Sequence, residues 1–276
     1  MNYLNKTYLV FAHYHSNGKI REDIINLLKT LKPHFLKIII VSTNLNKEEK
    51  QKISKYAKII IRKNYGYDFY SYKVGIRNIL KKEKNKKFTS KYILLLNSSI
   101  LFLDTNKFLR QLKKMKFNKN CVNAITQSRE IKKHLQSYFI FFPVSLLENN
   151  QFLNFWLKIR KFTSRQIIIN KYELGFSALT DKINIKKNFL FTTNLKEYPS
   201  NIFKLMFLKI LIKIKNSKKI FKKNPTFFYW EELFKQFGII KVELIRDNPH
   251  NVNLNNLYKY FSKKRIIQIQ NAAKSN

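Results

Sequence analysis

"KIIIRKNYGYDFYSYKVG", residues 58–75, decides the fold. Ile59, Ile60 and Ile61 form an unbroken apolar run, so 58–64 reads as a buried strand. Val74, Ile76, Ile79 and Leu80 then recur at helical spacing, so 70–84 reads as a helix. Between them lies a short turn crowded with tyrosine. A chain with only five glycines places two of them, Gly66 and Gly75, in this stretch. Gly66 allows the positive φ that a sharp strand-to-helix turn requires. Asp68 opens the helix. It is either an N-cap or a carboxylate for ribose or base hydroxyls, or for a metal-diphosphate, with Arg62 and Lys63 opposing a diphosphate.

The same alternation extends outward on both sides. "TYLVFAHY" (7–14), "KIIIVSTN" (37–44) and "YILLLNSSILFL" (92–103) read as strands. "REDIINLLKTLKP" (21–33) starts on acids and ends at Pro33, and "NKEEKQKISKYAK" (46–58) is a polar-faced helix. The first hundred residues are therefore β-α-β-α-β-α-β with near-continuous apolar strands. That is the pattern of a mainly parallel sheet covered by helices on both faces, an α/β fold. Ligands of such sheets sit beyond the carboxyl ends of the strands. Three segments are placed there: "HYHSNG" after strand one, "KNYGYDF" after strand three and "NSS" at the end of strand four.

The second half is less regular. Strands are expected at 122–126, 137–143 and 239–245, and helices at 108–115, 146–159, 171–183 and 224–238. One composite domain, 1–250, is expected, with a nucleotide-binding half at 7–104, an acceptor half at 105–250 and a basic tail at 251–276. Segment 201–224 is apolar with interleaved lysines and ends very basic. It is either a core helix with a solvated edge or a contact with an anionic membrane surface.

Composition narrows the functional classes. Hydrophobic residues make up 45%, which argues against general disorder. Lys+Arg 55 against Asp+Glu 16 gives +39, a field that attracts polyanions, anionic lipid and phosphorylated ligands. A compositionally biased genome produces the same excess, and the lysines are spread along the chain. The aromatics fall in expected core runs and no nucleic-acid-binding module is visible, so no nucleic-acid partner is expected. Cys121 is the only cysteine, which excludes an internal disulfide and fits a reducing, cytoplasmic compartment. No signal peptide is expected at the N-terminus, and no apolar run reaches membrane-span length.

Candidate site residues come from the strand ends and a few polar clusters. His13 and His15 would share one side of strand one. Asn97, Ser98 and Ser99 end strand four with neutral groups that bind Mg²⁺ or Mn²⁺ poorly. Asp104 reads as a helix cap. His134, Gln136 and Tyr138 would share a strand face suited to sugar hydroxyls. Glu173 is a carboxylate at a helix start, a general base or a complement to the helix dipole. Arg246, Asp247 and His250 lie in a terminal loop.

These segments together resemble the rhamnan synthesis protein F family of glycosyltransferase-like proteins of bacterial surface-polysaccharide assembly. The likeness rests on "VFAHYHSNGKI" (10–20), "IRKNYGYDFYSYKVGI" (61–76), "YILLLNSSILF" (92–102), "HLQSYFIFF" (134–142), "YELGFSALT" (172–180) and "NPTFFYWEELFKQFGIIKVELIRDNP" (224–249). It implies a nucleotide-diphospho-sugar transferase (GT-A-like) domain. The implied activity is transfer of a deoxysugar, typically rhamnose, from a nucleotide-sugar donor to a lipid-linked or glycan acceptor. It implies a donor site around Asn64, Gly66, Tyr67 and Asp68, with His13, Arg62, Asn97, Ser98 and Ser99 beside them. Glu173 is the inferred catalytic base. His134, Gln136, Ser137 and Tyr172 are expected at sugar, and Arg246 and His250 at the departing diphosphate. The family usually has Asn-Asp-Ser where this chain has Asn97-Ser98-Ser99, which puts a divalent cation in doubt. Three alternatives follow: metal-independent transfer with Lys and Arg neutralising the diphosphate, replacement by Asp68 or another acid, or an inactive member. A cytoplasmic place is expected, peripheral to the inner membrane face if 201–224 binds lipid.

Overall fold

The computed structural model describes residues 3–83, 90–115, 118–191 and 224–274. The segment singled out at 201–224 lies outside the described residues, Asn224 excepted.

Four apolar runs lie side by side in a seven-stranded sheet: β1 Thr7–His13, β2 Lys37–Ser42, β3 Lys58–Ile61 and β4 Tyr92–Asn97. β1 is flanked by β2 and β4, and all four strands run parallel. Three later strands extend the β4 side: β6 Cys121–Ala124, β9 Phe139–Pro143 and β10 Lys186–Phe189. The order across the sheet is β10-β6-β9-β4-β1-β2-β3. Only β9 runs against the rest, antiparallel to both β4 and β6. The chain order reverses between β1 and β4, and that switch point opens a crevice at the carboxyl edge.

Alternation along β1 divides the core into two layers. Leu9 and Phe11 pack with α1 (Glu22–Leu31), α2 (Lys47–Ser54) and α4 (Thr105–Lys114), through Ile24, Leu28, Ile53 and Phe108. Tyr8, Val10 and Ala12 face the other way, onto α3 (Tyr67–Glu83) and α5 (Asn150–Leu157), through Phe69, Tyr72, Ile76 and Trp156. β1, β2 and β4 are thus buried on both faces, which is why they read as continuous apolar runs. β3, expected to be buried, instead closes one edge of the sheet and stops at Ile61, which is 46% exposed, because no strand among the described residues covers its outer side.

Gly75 sets how closely α3 lies on β1. A Cβ added there would fall 2.3 Å from Val10 Cγ1 and 2.8 Å from Val10 Cγ2. Gly75→Ala is therefore expected to destabilise by about 2 kcal/mol through overpacking. Adding Val10→Ala should recover part of that loss, although Val10→Ala alone leaves a cavity. Denaturant unfolding of the four proteins checks this, and strict additivity would show that the two residues do not press on each other.

Several expected elements are broken. The run 92–103 is two strands, because Asn97 Oδ1 accepts from Ser99 N (3.0 Å) and Ser99 Oγ (2.6 Å) and turns the chain. The second piece, β5 Ile100–Phe102, leaves the central sheet and pairs antiparallel with β11 Ile239–Lys241. The expected strand 239–245 stops at Lys241, since its three-residue partner ends there, and Val242–Arg246 is helical (α10). The expected helix 224–238 breaks at Tyr229 into α8 Pro225–Phe228, capped by Asn224, and α9 Trp230–Phe237. In 171–183 a wide π turn, Ile169–Leu174, follows α6 Arg165–Ile168 and precedes α7 Gly175–Lys182. Residues 134–138 do not share one strand face. His134–Leu135 (β8) pairs with Gln127–Ser128 (β7) in a separate ribbon, and β9 begins only at Phe139.

The segment read as a tail is also part of the fold. Leu257 of α11 (Leu257–Tyr260) and Ile266 of α12 (Lys263–Lys274) pack with Trp230 and Phe234. Ile269 and Ala273 pack with Leu101 and Val242.

Candidate functional site

The carboxyl edge of the sheet opens into a cavity of about 740 Å³. Its size is that of a small-molecule pocket.

The loop after β3 builds one wall. Arg62, which begins it, was expected to face a diphosphate. Its guanidinium instead holds the loop. Nε donates to Ser71 Oγ (2.9 Å), Nη1 to the carbonyls of Lys63 (2.8 Å) and Tyr65 (2.5 Å), and Nη2 to that of Tyr67 (2.6 Å). The rings of Tyr65 and Tyr70 lie against it at 5.8 and 5.5 Å. Gly66 has φ +69°, and a Cβ there would meet Tyr70 Cβ at 2.6 Å. Tyr67 follows with φ +46°, an uncommon conformation for a residue with a side chain. Arg62 on its carbonyl and Thr163 O on its hydroxyl (3.2 Å) hold it there. Tyr67 and Asn64 line the cavity, whereas Gly66 does not.

Asp68 is the second residue of α3 rather than its cap. It faces the cavity, and Oδ2 accepts from Asn97 Nδ2 at 2.6 Å. Burial pushes its carboxyl up to about 6, and the Glu173 carboxylate adds to this. Lys241, Arg62 and Arg165 pull the other way. Asn97 is buried beneath the surface and bridges Asp68 to Ser99, so it positions the site without lining it. Ser98 and Ser99 do line it. The Ser98 hydroxyl is already engaged, accepting from Tyr14 N (3.2 Å) and donating to Tyr14 O (3.3 Å). Beneath this turn a buried ion pair, Arg21 with Asp23 at 2.9 Å, holds the chain in place. Arg21 donates to Ser98 O (2.8 Å) and Ile100 O (2.6 Å), and Asp23 accepts from Phe102 N (3.0 Å).

His13 ends β1 at the cavity, with Nδ1 2.9 Å from Ser42 Oγ. Burial first, then Arg21 and His15, hold its imidazole down to about 3, against a weaker pull from the Lys19 backbone. It is a neutral group at every working pH. His15 lies beyond the strand, in a turn where its Nδ1 accepts from Asn17 N (3.1 Å). It therefore does not pair with His13 across a strand face.

The opposite wall comes from the second half. Glu173 lies in the π turn and lines the cavity, its Oε1 accepting the Ser137 N–H at 2.8 Å. Ser137 and His134 line it too. Gln136 also reaches it, although its Oε1 accepts from Thr126 Oγ1 (2.6 Å). His250 closes over Glu130 (3.3 Å), with its ring against Phe227 and Phe228. Two expected residues lie elsewhere. Tyr172 is packed among Phe69, Phe155 and Phe162, its hydroxyl accepting from Arg160 N, so it belongs to the core. Arg246 points at its neighbour Asp247 (2.8 Å) and is not part of the lining.

The structure adds residues that the sequence reading missed: Tyr14, Thr43, Glu130, Arg165, Lys241 and Glu243. Lys241 was hidden inside an expected strand, and Arg165 in a stretch with no periodic signal. Four of the chain's 16 acids line the cavity, so the chain's positive excess is not concentrated here. Among the described residues, no three His, Cys, Asp or Glu side chains converge as a metal site.

A mainly parallel sheet covered by helices, with a polar cavity at the carboxyl edge of its switch point, defines an α/β protein whose candidate site lies where such sheets take their ligands. The family model described as Rhamnan synthesis protein F matches residues 37–260, and the chain belongs to that family. It is 24% identical over 166 residues to the uncharacterized protein y4gN of Sinorhizobium fredii (strain NBRC 101917 / NGR234), covering 58% of this chain and 42% of that protein. It is 27% identical over 213 residues to the virulence protein VirA of Vibrio anguillarum (strain ATCC 68554 / 775), covering 69% of this chain and 62% of that protein. The chain thus spans about half the length of these curated relatives. Among solved structures, a 4-diphosphocytidyl-2C-methyl-D-erythritol synthase matches with TM-score 0.43 and 9% identity, over 73% of this chain and 97% of that one. A glycosyltransferase involved in glycosylation of the major capsid of PBCV-1 matches with TM-score 0.33 and 13% identity, over 70% and 89%.

Proposed function

We propose that this chain is a nucleotide-sugar-dependent glycosyltransferase that moves a deoxysugar, rhamnose in the family's usual case, onto a growing bacterial surface glycan. One observation carries the reading. The family's signature loop, 62–68, and the Glu173 turn come from distant parts of the chain yet wall the same cavity. Of the four acids there, Glu130 pairs with His250 and Glu243 with Arg165. Asp68 and Glu173 have no cationic side chain bonded to them among the described residues. They are the pair left to act on hydroxyl groups.

In this scheme the donor lies over the strand ends, with Asp68 accepting from its hydroxyls. Glu173 takes the proton of an acceptor hydroxyl, whose oxygen attacks the anomeric carbon with inversion. The acceptor is a lipid-linked or glycan hydroxyl, and the reaction is cytoplasmic. No helix among the described residues is long and apolar enough to cross a membrane. A divalent cation fits the site poorly, since Asp68 is the one carboxylate at a turn of Asn97, Ser98 and Ser99, and the Ser98 hydroxyl is bound to Tyr14. We therefore read the transfer as metal-independent.

The engaged Ser98 also favours a second reading, a non-catalytic member of a glycan-assembly complex. A thermal-shift screen against nucleotide-sugars, in excess chelator and with Mn²⁺ or Mg²⁺, separates the two. A ligand at 100 times its Kd should stabilise by about 2.7 kcal/mol, raising the midpoint by several degrees. A stabilising nucleotide-sugar names the donor. No shift from any of them favours the scaffold, and a shift that appears only with metal rejects metal independence.

A further inference from the structure

β11 reaches the cavity from late in the chain. It pairs antiparallel with β5 in the register Lys241↔Ile100, and Val242 N donates to Ser99 O at 2.9 Å. This lays Lys241 beside the Asn97–Ser99 turn, where β4 ends on the cavity. Lys241 is the only lysine among the described residues that lines it. The two arginines there are otherwise engaged, Arg62 on its own loop and Arg165 on Glu243 (3.3 Å). The Lys241 ammonium forms no ion pair with a carboxylate among the described residues. It rests 5.8 Å from the centroid of the Tyr138 ring, and its charge acts on Asp68. A half-buried ammonium with no bonded counter-charge, facing a cavity, is suited to an anion.

We propose that Lys241 is the fixed cation of the donor site, binding the diphosphate of the nucleotide-sugar beside the Asn97–Ser99 turn in the role a divalent metal would otherwise fill. This rests on the donor reading above. During transfer the bond from the anomeric carbon to the β-phosphate oxygen breaks, and its electron pair leaves on that oxygen. The acceptor oxygen supplies the pair for the new bond, and its proton passes to Glu173. Lys241 moves no proton. It offsets the charge that appears on the departing diphosphate. The Asp68 carboxylate repels phosphate, so the two groups orient the donor, phosphates to the lysine and hydroxyls to the acid.

Calorimetric titration of the full chain in excess EDTA tests this. The ligands are UDP, GDP, CDP, dTDP, their parent nucleosides and inorganic pyrophosphate. The proteins are wild type, Lys241→Met, Lys241→Arg and Arg246→Met, with circular dichroism to confirm folding and Lys241→Gln in place of a Met variant that does not fold. The best diphosphate should bind wild type without metal and weaken about 10- to 100-fold in Lys241→Met, the loss typical of a charge-assisted contact. Lys241→Arg should retain most of the affinity, Arg246→Met all of it, and the parent nucleoside should lose little. Equal diphosphate binding by wild type and Lys241→Met would overturn the proposal, as would binding that requires added Mg²⁺ or Mn²⁺. If no nucleoside diphosphate binds wild type, the donor reading fails by itself, and pyrophosphate then decides Lys241. Pyrophosphate binding that is lost in Lys241→Met keeps it as an anion site, and absent or unchanged binding overturns it.

Discussion

Glu173→Gln is expected to lower sugar transfer by about 10²- to 10⁴-fold, with donor affinity and melting midpoint close to wild type. The substitution is nearly isosteric, so the Ser137 N–H keeps an oxygen acceptor at the position where Glu173 Oε1 now receives it at 2.8 Å. What is lost is the ability to take a proton. The split between rate and stability separates a catalytic role from a structural one. A side chain whose only duty is to hold the Ser137 backbone should tolerate Gln in both assays. A variant with near wild-type turnover removes Glu173 as the base and leaves Asp68 as the remaining acid without a bonded cation. A melting midpoint lowered by many degrees, with transfer lost in parallel, assigns Glu173 to the fold. The assay needs only the donor found by the thermal-shift screen and an acceptor glycan.

The regularity of the first hundred residues follows from burial. Parallel strands covered on both faces carry no polar alternation, so β1, β2 and β4 stand out as apolar runs between helices of clear period. The second half obscures its plan because its decisive contacts are long-range. β5 and β11 are three residues each and pair across about half of the chain, so neither has a local signature, and Lys241 could not be placed without that pairing. β9 is as apolar as a parallel strand but runs the other way, which composition does not encode. At the site, residue type was more legible than residue role. Arg62 was recognisable as a cation beside the loop, but where its donors point depends on how Gly66 and Tyr67 curve the backbone. Their left-handed φ values turn the carbonyls of the loop toward the guanidinium. Tyr172 sits one residue from Glu173 and was expected to share its surroundings. The helical turn sends it into the aromatic core instead.

Asp68→Asn is expected to stabilise the protein at pH 7.5 while weakening donor binding. Burial raises the Asp68 carboxyl from 3.8 to about 6 in the folded chain. Between those two values the folded state holds a proton that the unfolded state has lost, so stability falls as pH rises through this window. Above about pH 6 the full cost of a buried carboxylate is present. A shift of this size corresponds to at most ~3 kcal/mol, and partial access of solvent to the cavity wall brings the expected gain nearer ~2 kcal/mol. Asn removes the charge while keeping an oxygen to accept from Asn97 Nδ2. The difference in unfolding free energy between variant and wild type should therefore be about 2 kcal/mol at pH 7.5 and shrink toward zero below about pH 4. Taking the difference cancels the titration of every other carboxylate that the substitution leaves unchanged. A variant less stable than wild type at pH 7.5 would mean that the Asn97 contact needs the negative charge, and that the carboxylate is held by more than it costs. The accompanying loss of donor affinity is what makes the stability gain informative. A residue that weakens the fold and tightens the ligand is retained for the ligand. A gain in stability with donor binding unchanged would move Asp68 out of the donor site and leave its burial without a functional reason.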